Sequence, residues 1–101
     1  MRVIAKRTIR QFWETHPLYE NALKNWYKIV SNSGWKKFSE LKGTFSTTDY
    51  VGNDRYVFDV KGNDIRVVGK IDFDYQLVFI RFIGTHTEYD RMKKRTGAKN
   101  V

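Results

Sequence analysis

The sequence predicts a single α+β domain, and three observations support this prediction. Helical periodicity marks most of the first half of the chain, a period of two begins near Asp54, and 101 residues suit one domain. The predicted order is a short N-terminal strand, two helices, an antiparallel three-stranded meander and a short C-terminal helix. Helices packed on a mostly antiparallel sheet define the α+β class.

The N-terminal half contains the strand and both helices. Residues 1–5 are β-prone, and Thr8 with Gln11 forms a capping-box pattern, which predicts a helix over Thr8–His16. Pro17 ends that helix and begins the next, because proline suits a first helical turn. The second helix should end near 31–34, and 35–41 can add a turn or two before Gly43.

Alternation of apolar residues predicts the meander. Tyr56, Phe58 and Val60 share one face, and Gly62-Asn63 suits a hairpin turn because both residues tolerate positive φ. A second strand follows from 65 to about 72, and a third, more apolar strand spans 76–82. Residues 84–90 are predicted as a turn and the start of the last helix.

Positive charge concentrates at the two ends of the chain. The sequence has 19 Lys+Arg and 11 Asp+Glu, a net charge of +8, yet residues 1–10 and 91–101 contain no acid. Basic ends on a near-neutral body suit a polyanionic partner such as nucleic acid. The alternative is a pair of solvated tails, the second over about 91–101, that keep the protein soluble.

Several classes of protein are excluded or disfavoured. With no cysteine, the chain has no disulfide, zinc ribbon or thiol nucleophile. The apolar runs are too short to span a bilayer, and the basic N-terminus lacks the apolar region of a secretory signal. No ligand spacing or glycine-rich loop indicates a metal or nucleotide cofactor. We therefore expect a cytoplasmic protein with no membrane segment, no cofactor and no metal.

The segment around His86 is the strongest candidate for chemistry. In a helix, His86 shares a face with Tyr89 and Asp90, at spacings of three and four residues. Imidazole suits proton transfer near neutral pH, which metal-free RNA cleavage requires. The alternative is structural: Thr85 and Glu88 form a capping box, Tyr89 packs on the sheet, and His86 faces water.

The hairpin register gives Arg66 two possible roles. It places Asp59 opposite Arg66, which predicts a cross-strand ion pair on an exposed sheet face. The functional alternative is that Arg66, with Lys70 and Arg81, makes that open face a phosphate-binding surface.

Two runs of sequence resemble a known family. Val57–Val68, with its Gly-Asn-x-x-Arg turn, and Ile80–Asp90, with its Gly-Thr-His-x-Glu-Tyr-Asp ending, closely resemble the HigB toxins of bacterial type II toxin–antitoxin systems, within the RelE/ParE-like superfamily. Ala22-Leu23, Trp26-Tyr27 and Trp35 fit the same family, so the resemblance covers nearly the whole chain.

The resemblance implies an endoribonuclease that cleaves mRNA, often in the A site of the 30S ribosomal subunit. It implies a RelE-like fold, with Arg66 as the phosphate-stabilising cation and His86 and Tyr89 in acid–base chemistry or base stacking. Asp90 would orient them, and Asn63 would shape the turn beside the site. A cognate antitoxin, commonly with a helix-turn-helix domain, would hold the toxin inactive and alone contact operator DNA.

The predicted RNA-binding surface is broader than the catalytic group. Its members are basic or amide residues, namely Lys36, Lys37, Lys61, Asn63, Lys70, Arg81, Arg91, Lys93, Lys94 and Arg95. Two other functions stay open at this point: a non-catalytic module that binds RNA or the ribosome, and a gyrase-poisoning toxin of the same fold.

Overall fold

The architecture is a five-stranded mixed sheet flanked by helices, and a computed structural model describes it over residues 1–101. The strands are β1 (Arg2–Ile4), β2 (Asp49–Gly52), β3 (Arg55–Val60), β4 (Ile65–Asp72) and β5 (Leu77–Thr85), in the order β1-β5-β4-β3-β2. The helices are α1 (Lys6–Thr15), α2 (Glu20–Ser31), α3 (Phe38–Thr44) and α4 (His86–Arg95). The α+β class is confirmed, but the arrangement is larger than a meander with two N-terminal helices.

Of the two outer strands, β1 was predicted as a short N-terminal strand without a stated partner, and β2 was not predicted. β1 pairs in parallel with β5, with Val3 opposite Val78, and β2 pairs antiparallel with β3, with Tyr50 opposite Tyr56. β2 has only four residues and a register shift before Gly52, so it carries no alternating apolar pattern. It forms a tight hairpin with β3, because the two residues between the strands, Asn53 (φ 51°) and Asp54 (φ 62°), adopt the positive φ that such turns require.

The central hairpin has the predicted register. Val60 lies opposite Ile65, and Asp59 lies opposite Arg66. The turn differs: it spans four residues, 61–64, and positive φ occurs at Lys61 (53°) and Gly62 (63°) rather than at Gly62 and Asn63. The predicted turn residues Gly62 and Asn63 lie at the centre of this turn, which the Asp64 amide closes by donating to the Lys61 oxygen at 3.2 Å, but the expectation of positive φ holds for Gly62 and not for Asn63.

The helix boundaries depart from the sequence patterns at several points. α1 begins at Lys6, because Ala5 adopts a left-handed conformation (φ 73°) and turns the chain directly out of β1, so Thr8 caps nothing. A 3₁₀ turn over Pro17–Tyr19 precedes α2, and α3 continues through Gly43. The longest helix, α2, has 12 residues, and no helix combines the length and apolarity needed to cross a membrane.

The two faces of the sheet are both covered. The main core lies between the sheet and α1–α3 and includes Ile9, Leu23, Trp26, Phe58 and Val67. On the opposite face, a smaller cluster contains Val57, Val68, Tyr89 and Ala98. The prediction of an open, exposed face was therefore wrong, because two valines on that face are buried by α4 and the segment after it.

The basic C-terminal segment is likewise no free tail. It forms the end of α4 and a 3₁₀ turn over Ala98–Asn100, and it packs on the second face of the sheet. Arg55 and Arg81 both donate hydrogen bonds to the main-chain oxygen of Val101. Residues 1–10 are also structured, as β1 and the first half of α1, so neither basic end is a solvated extension.

Candidate active site

The candidate site lies at one end of the sheet, where β4 begins and β5 ends. Arg66 pairs with Gly84 across these strands, and the amide of His86 donates to the oxygen of Asp64 at 3.0 Å. A Cβ at Gly84 would stand 2.8 Å from the Phe82 ring and 3.1 Å from Glu88 Cβ, so a larger residue here would displace the ring that packs beneath α4. The fold therefore brings Arg66 and His86 to the same end of the sheet.

The first turn of α4 holds His86 in place through the predicted capping box. Thr85 Oγ1 accepts from the Glu88 amide at 3.2 Å, and the Glu88 carboxylate accepts from the Thr85 amide at 2.8 Å. The hydrogen bond from the Thr85 amide lowers the pKa of Glu88. Because both bonds fix the helix start, His86 occupies a defined position at the first residue of α4.

His86 is paired with Asp90 on the surface of α4. His86 Nδ1 lies 3.1 Å from Asp90 Oδ2, and about half of each side chain is exposed. When Nδ1 carries the proton and donates it to Asp90, Nε2 presents its lone pair. Nε2 makes no hydrogen bond within the protein, so it is free to accept a proton from a ligand.

Tyr89 sits beneath this pair with its ring buried. The residue is 8% exposed and packs against Phe82, with ring centroids 6.3 Å apart. Burial raises the pKa of the Tyr89 phenol, which nearby Arg66 counteracts and Asp49 and Asp90 reinforce. The phenol therefore stays protonated at neutral pH, and its ring is not available to stack on a base.

Two protein oxygens bind Arg66, and two of its nitrogens have no hydrogen-bond acceptor within the protein. Its Nη1 lies 3.1 Å from Asp59 Oδ1 and donates to the Asn63 oxygen at 3.2 Å. The side chains of Arg66 and Asp59 are only 13% and 21% exposed. Because Nε and Nη2 make no hydrogen bond within the protein, Arg66 forms the predicted ion pair and still has two nitrogens for a phosphate.

Comparison with known protein families identifies the chain. A family model described as HigB_toxin, the RelE-like toxic component of a toxin–antitoxin system, matches residues 19–92. The chain belongs to the HigB toxin family. The match includes Arg66, His86, Tyr89 and Asp90, and the resemblance inferred from the sequence is confirmed.

Individual HigB proteins match over most of the chain. The mRNA interferase toxin HigB of Escherichia coli K12 is 32% identical over 93 residues, which cover 89% of this chain and 88% of the relative. The mRNA interferase HigB of Shigella flexneri matches equally. The mRNA interferase HigB of Escherichia coli O6:H1 is 28% identical over 96 residues, covering 93% of each chain.

The residues predicted to bind RNA in this HigB-family chain do not form one surface. Near the site lie Asn63, Arg91 and Lys61, whose Nζ stands 5.5 Å from the centre of the Tyr19 ring. Lys36 and Lys37 lie toward the opposite end of the sheet, since the neighbouring Trp35 oxygen accepts from Gln76 in the β4–β5 turn.

The other predicted RNA contacts have local partners or lie along α4. Lys70 lines a cleft with three aspartates, and Arg81 donates to the Val101 oxygen. The last turn of α4 carries Lys93, Lys94 and Arg95, where positive charge also complements the helix dipole. Lys93, Lys94 and Arg95 therefore lie about a helix length from His86, and Lys70 and Arg81 lie farther along the sheet.

Two residues near the site were not selected from the sequence. Asp59 was predicted only as an ion-pair partner, yet it anchors Arg66. His16, at the end of α1, is close enough to contribute to the lowered pKa of Glu88, so both histidines lie near the start of α4. The His16 ring stacks on Phe12, with centroids 4.0 Å apart, which indicates a structural role.

No group of three or more His, Asp or Glu side chains is arranged to hold a metal ion.

Proposed function

We propose that this chain is an endoribonuclease that cleaves mRNA, with Arg66, His86, Tyr89 and Asp90 at its active site. The names of the HigB relatives describe mRNA interferases, which supports this activity. The observation that carries the proposal is the joint placement of a guanidinium with free donors and a carboxylate-oriented imidazole at one end of the sheet.

The proposed reaction is an internal transfer within RNA. His86 Nε2 takes the proton of a ribose 2′-OH, and the 2′ oxygen attacks the adjacent phosphorus. The bond from phosphorus to the 5′ oxygen breaks, which leaves a 2′,3′-cyclic phosphate and, after protonation, a 5′-OH. Arg66 Nε and Nη2 stabilise the negative charge that develops on the phosphoryl oxygens.

The proton-transfer roles follow from the surroundings of the two groups. The raised pKa of Tyr89 keeps its hydroxyl protonated, so it can donate a proton to the leaving oxygen but cannot remove one at neutral pH. His86, with an accessible Nε2, is then the base. Asp90 holds the imidazole in the required orientation and stabilises its positive charge after proton transfer.

We place the substrate on the ribosome. Lys61, Asn63 and Arg91 lie near the site and would contact the cleaved strand. The remaining basic residues lie away from the site; they are Lys36, Lys37, Lys70, Arg81 and those of the last turn of α4. We propose that a second polyanionic surface binds them, because the cleaved strand alone does not extend to all of them. A message in the 30S A site provides such a surface, since ribosomal RNA surrounds it.

The proposed partners also include the antitoxin of the system. As the toxic component, the chain requires a cognate antitoxin, and we propose that this antitoxin carries a helix-turn-helix domain and makes all contacts with operator DNA. The net charge of +8 favours an acidic antitoxin segment. We place the pair in the cytoplasm, where message and ribosomes are found.

Cleavage in a translating extract tests the proposal. The purified protein is added to a defined message with and without ribosomes, and new 5′ ends are mapped. We expect cuts that His86→Gln reduces at least about a hundredfold, the lower range for a lost acid–base group. His16→Gln is the matched control, because the chain has two histidines and His16 stacks on Phe12.

The alternatives give different results in the same assay. If folded wild-type protein leaves the message intact with and without ribosomes, the endoribonuclease proposal is wrong. Salt-sensitive binding without cleavage would identify a non-catalytic RNA-binding module, and DNA damage in cells with intact message would identify a gyrase poison.

A further inference from the structure

The α1–α2 surface, made of the exposed residues of these two helices, carries positive charge that has no role in the chemistry described above. The two helices contain five basic residues and two acids. The five basic residues are all exposed and lie outside the predicted RNA contacts; they are Lys6, Arg7, Arg10, Lys24 and Lys28. The acid-free segment 1–10 supplies three of them, so the proposed active site leaves this feature of the sequence unexplained.

Contacts between side chains show that α1 and α2 form one continuous surface. Lys6 Nζ of α1 lies 4.6 Å from the centre of the Tyr27 ring of α2, and Lys24 of α2 makes a similar contact with an aromatic ring of α1. Arg7 follows Lys6 in the chain, and Lys28 follows Tyr27. The charges of Arg7 and Lys28 therefore lie at the same end of the helix pair.

The acids of this surface neutralise only part of its charge. Both acids, Glu14 and Glu20, pair with a basic residue one turn away on the same helix. The other three cations, Lys6, Arg7 and Lys28, form no ion pair within the protein. Because these three lie together at the start of α1 and in the last turns of α2, that end of the helix pair has uncompensated positive charge.

The exposed chemistry of the α1–α2 surface favours a phosphate backbone over a protein partner. Every exposed residue of α1 and α2 is polar or charged, and the three exposed large apolar side chains of the molecule, Leu18, Tyr50 and Tyr75, lie outside both helices. Protein interfaces have an apolar centre and are poor in lysine, whereas nucleic-acid interfaces are polar and strongly positive. The surface thus offers charges for phosphates and no apolar anchor for a protein.

The position of the surface indicates which RNA it can contact. His16, at the end of α1, is near enough to Glu88 to contribute to the lowered pKa of that carboxylate, whereas Lys6 lies at the other end of α1, about 15 Å away along the helix. α1 and α2 pack on one face of the sheet, and α4 with its basic last turn packs on the other. A single strand that passes through the site follows one face, whereas RNA that surrounds the protein contacts both.

We infer that the α1–α2 surface binds the phosphate backbone of ribosomal RNA while a message occupies the active site. Lys6, Arg7 and Lys28 each neutralise a phosphate, and these contacts carry no sequence information. This inference rests on the proposed function, because it assumes that the message is cleaved on the ribosome. It assigns a second RNA contact to residues that lie outside the active site.

Binding to purified 30S subunits tests the inference without any cleavage. Arg7→Gln/Lys28→Gln removes two charges from exposed side chains that form no ion pair, so the fold should be retained. Wild type and double variant are titrated with 30S subunits that carry no message, at several salt concentrations. We expect the slope of log K against log[salt] to be smaller by about two for the variant, about one for each lost phosphate contact. Arg7→Lys/Lys28→Arg retains both charges and should retain the wild-type slope.

Lys42→Gln/Lys99→Gln is the matched control for net charge. Both lysines are exposed, lie outside α1 and α2, and do not belong to the predicted RNA contacts. This variant loses the same two charges, and we expect it to keep the wild-type slope. Equal decreases of the slope in the two glutamine variants would reflect net charge alone and would overturn the inference.

The outcomes separate this inference from the proposed function. If the wild type cleaves ribosome-bound message and Arg7→Gln/Lys28→Gln binds 30S subunits with the wild-type slope, the surface is wrong and the endoribonuclease stands. If the slope falls as expected although the wild type cleaves nothing, the proposed function fails and the RNA-binding surface stands. If the wild type does not bind 30S subunits, the inference is wrong. If the double variant binds 30S subunits like the wild type but binds the antitoxin or free message more weakly, the surface belongs to that partner and the inference is overturned.

Discussion

Two arginines on the same face of the sheet are used in opposite ways. Arg55 donates from Nε and Nη2 to the Val101 oxygen at 3.1 and 2.7 Å and from Nη1 to the Asn53 oxygen at 2.9 Å. Arg66 directs only Nη1 to protein oxygens. Arg55 therefore uses every guanidinium nitrogen within the protein, two of them on the C-terminal segment, whereas Arg66 keeps Nε and Nη2 for a ligand.

The partners of the two arginines differ as well as their number. Arg55 donates only to main-chain oxygens, those of Val101 and Asn53, while Arg66 faces the side-chain carboxylate of Asp59 in a largely buried setting. A buried ion pair often contributes little net stability, because desolvation offsets the attraction. Its retention at Arg66 is consistent with a role in orienting the guanidinium, whereas the Arg55 clamp is explained by folding alone.

Replacing the two arginines by lysine gives the largest expected contrast. Arg66→Lys keeps the charge but removes the planar fork, so we expect cleavage to fall by about a hundredfold or more, the loss typical of a group that stabilises developing charge. Arg55→Lys should leave cleavage per folded molecule near the wild-type value and lower the free energy of unfolding by about 1 kcal/mol. Cleavage rates and urea unfolding of both variants provide the measurement.

The contrast fails if the two substitutions affect cleavage equally. Equal losses would mean that Arg55 supports the site through the C-terminal segment, or that only charge is needed at Arg66. If the folded fraction of Arg66→Lys fell by the same factor as its cleavage, unfolding alone would explain the loss, and Arg66 would be assigned to folding.

Sequence reasoning succeeded where the causes are local. The capping box of Thr85 and Glu88, the pairing of Asp59 with Arg66 and the helical spacing of His86 and Asp90 all depend on residues close along the chain or on one hairpin register. β2 was missed although it forms a local hairpin with β3 through Asn53 and Asp54, whereas the clamp between Arg55 and Val101 and the covering of the second face depend on contacts between distant segments. For that reason the sequence predicted an open sheet face, although Val57 and Val68 already indicated that something must bury it.

A smaller effect is expected from Asp59→Asn, which tests whether Asp59 positions Arg66. The amide oxygen can still accept from Nη1, but the charge-assisted bond is lost. We expect kcat to fall roughly tenfold, a loss of about 1.4 kcal/mol in the transition state. RNA affinity should hold or rise, because one negative charge is removed beside the phosphate site. The measurement is a single-turnover rate at several RNA concentrations.

A merely structural role for Asp59 would give another pattern. In that case Asp59→Asn would lower the free energy of unfolding while the folded fraction kept the wild-type kcat. Asp59→Glu separates the two roles further, since it restores the charge and should recover part of the rate if orientation of Arg66 matters.

The smallest expected effect concerns the helix that holds His86, and it has a defined dependence on pH. The pKa of Glu88 is lower in the folded protein than in the unfolded chain, so its carboxylate stabilises the fold above the unfolded pKa, and this contribution is lost as pH falls through the folded pKa. The bond of Glu88 to the Thr85 amide is solvent-exposed, so we expect less than about 1 kcal/mol. Urea unfolding of wild type and Glu88→Gln should show a difference in the free energy of unfolding at pH 7 that disappears well below about pH 4.

Glu14→Gln, which alters only an exposed pair with Arg10, is the control. A difference that persists or grows in acid would mean that the side chain of Glu88 stabilises α4 by packing and not as a charged cap.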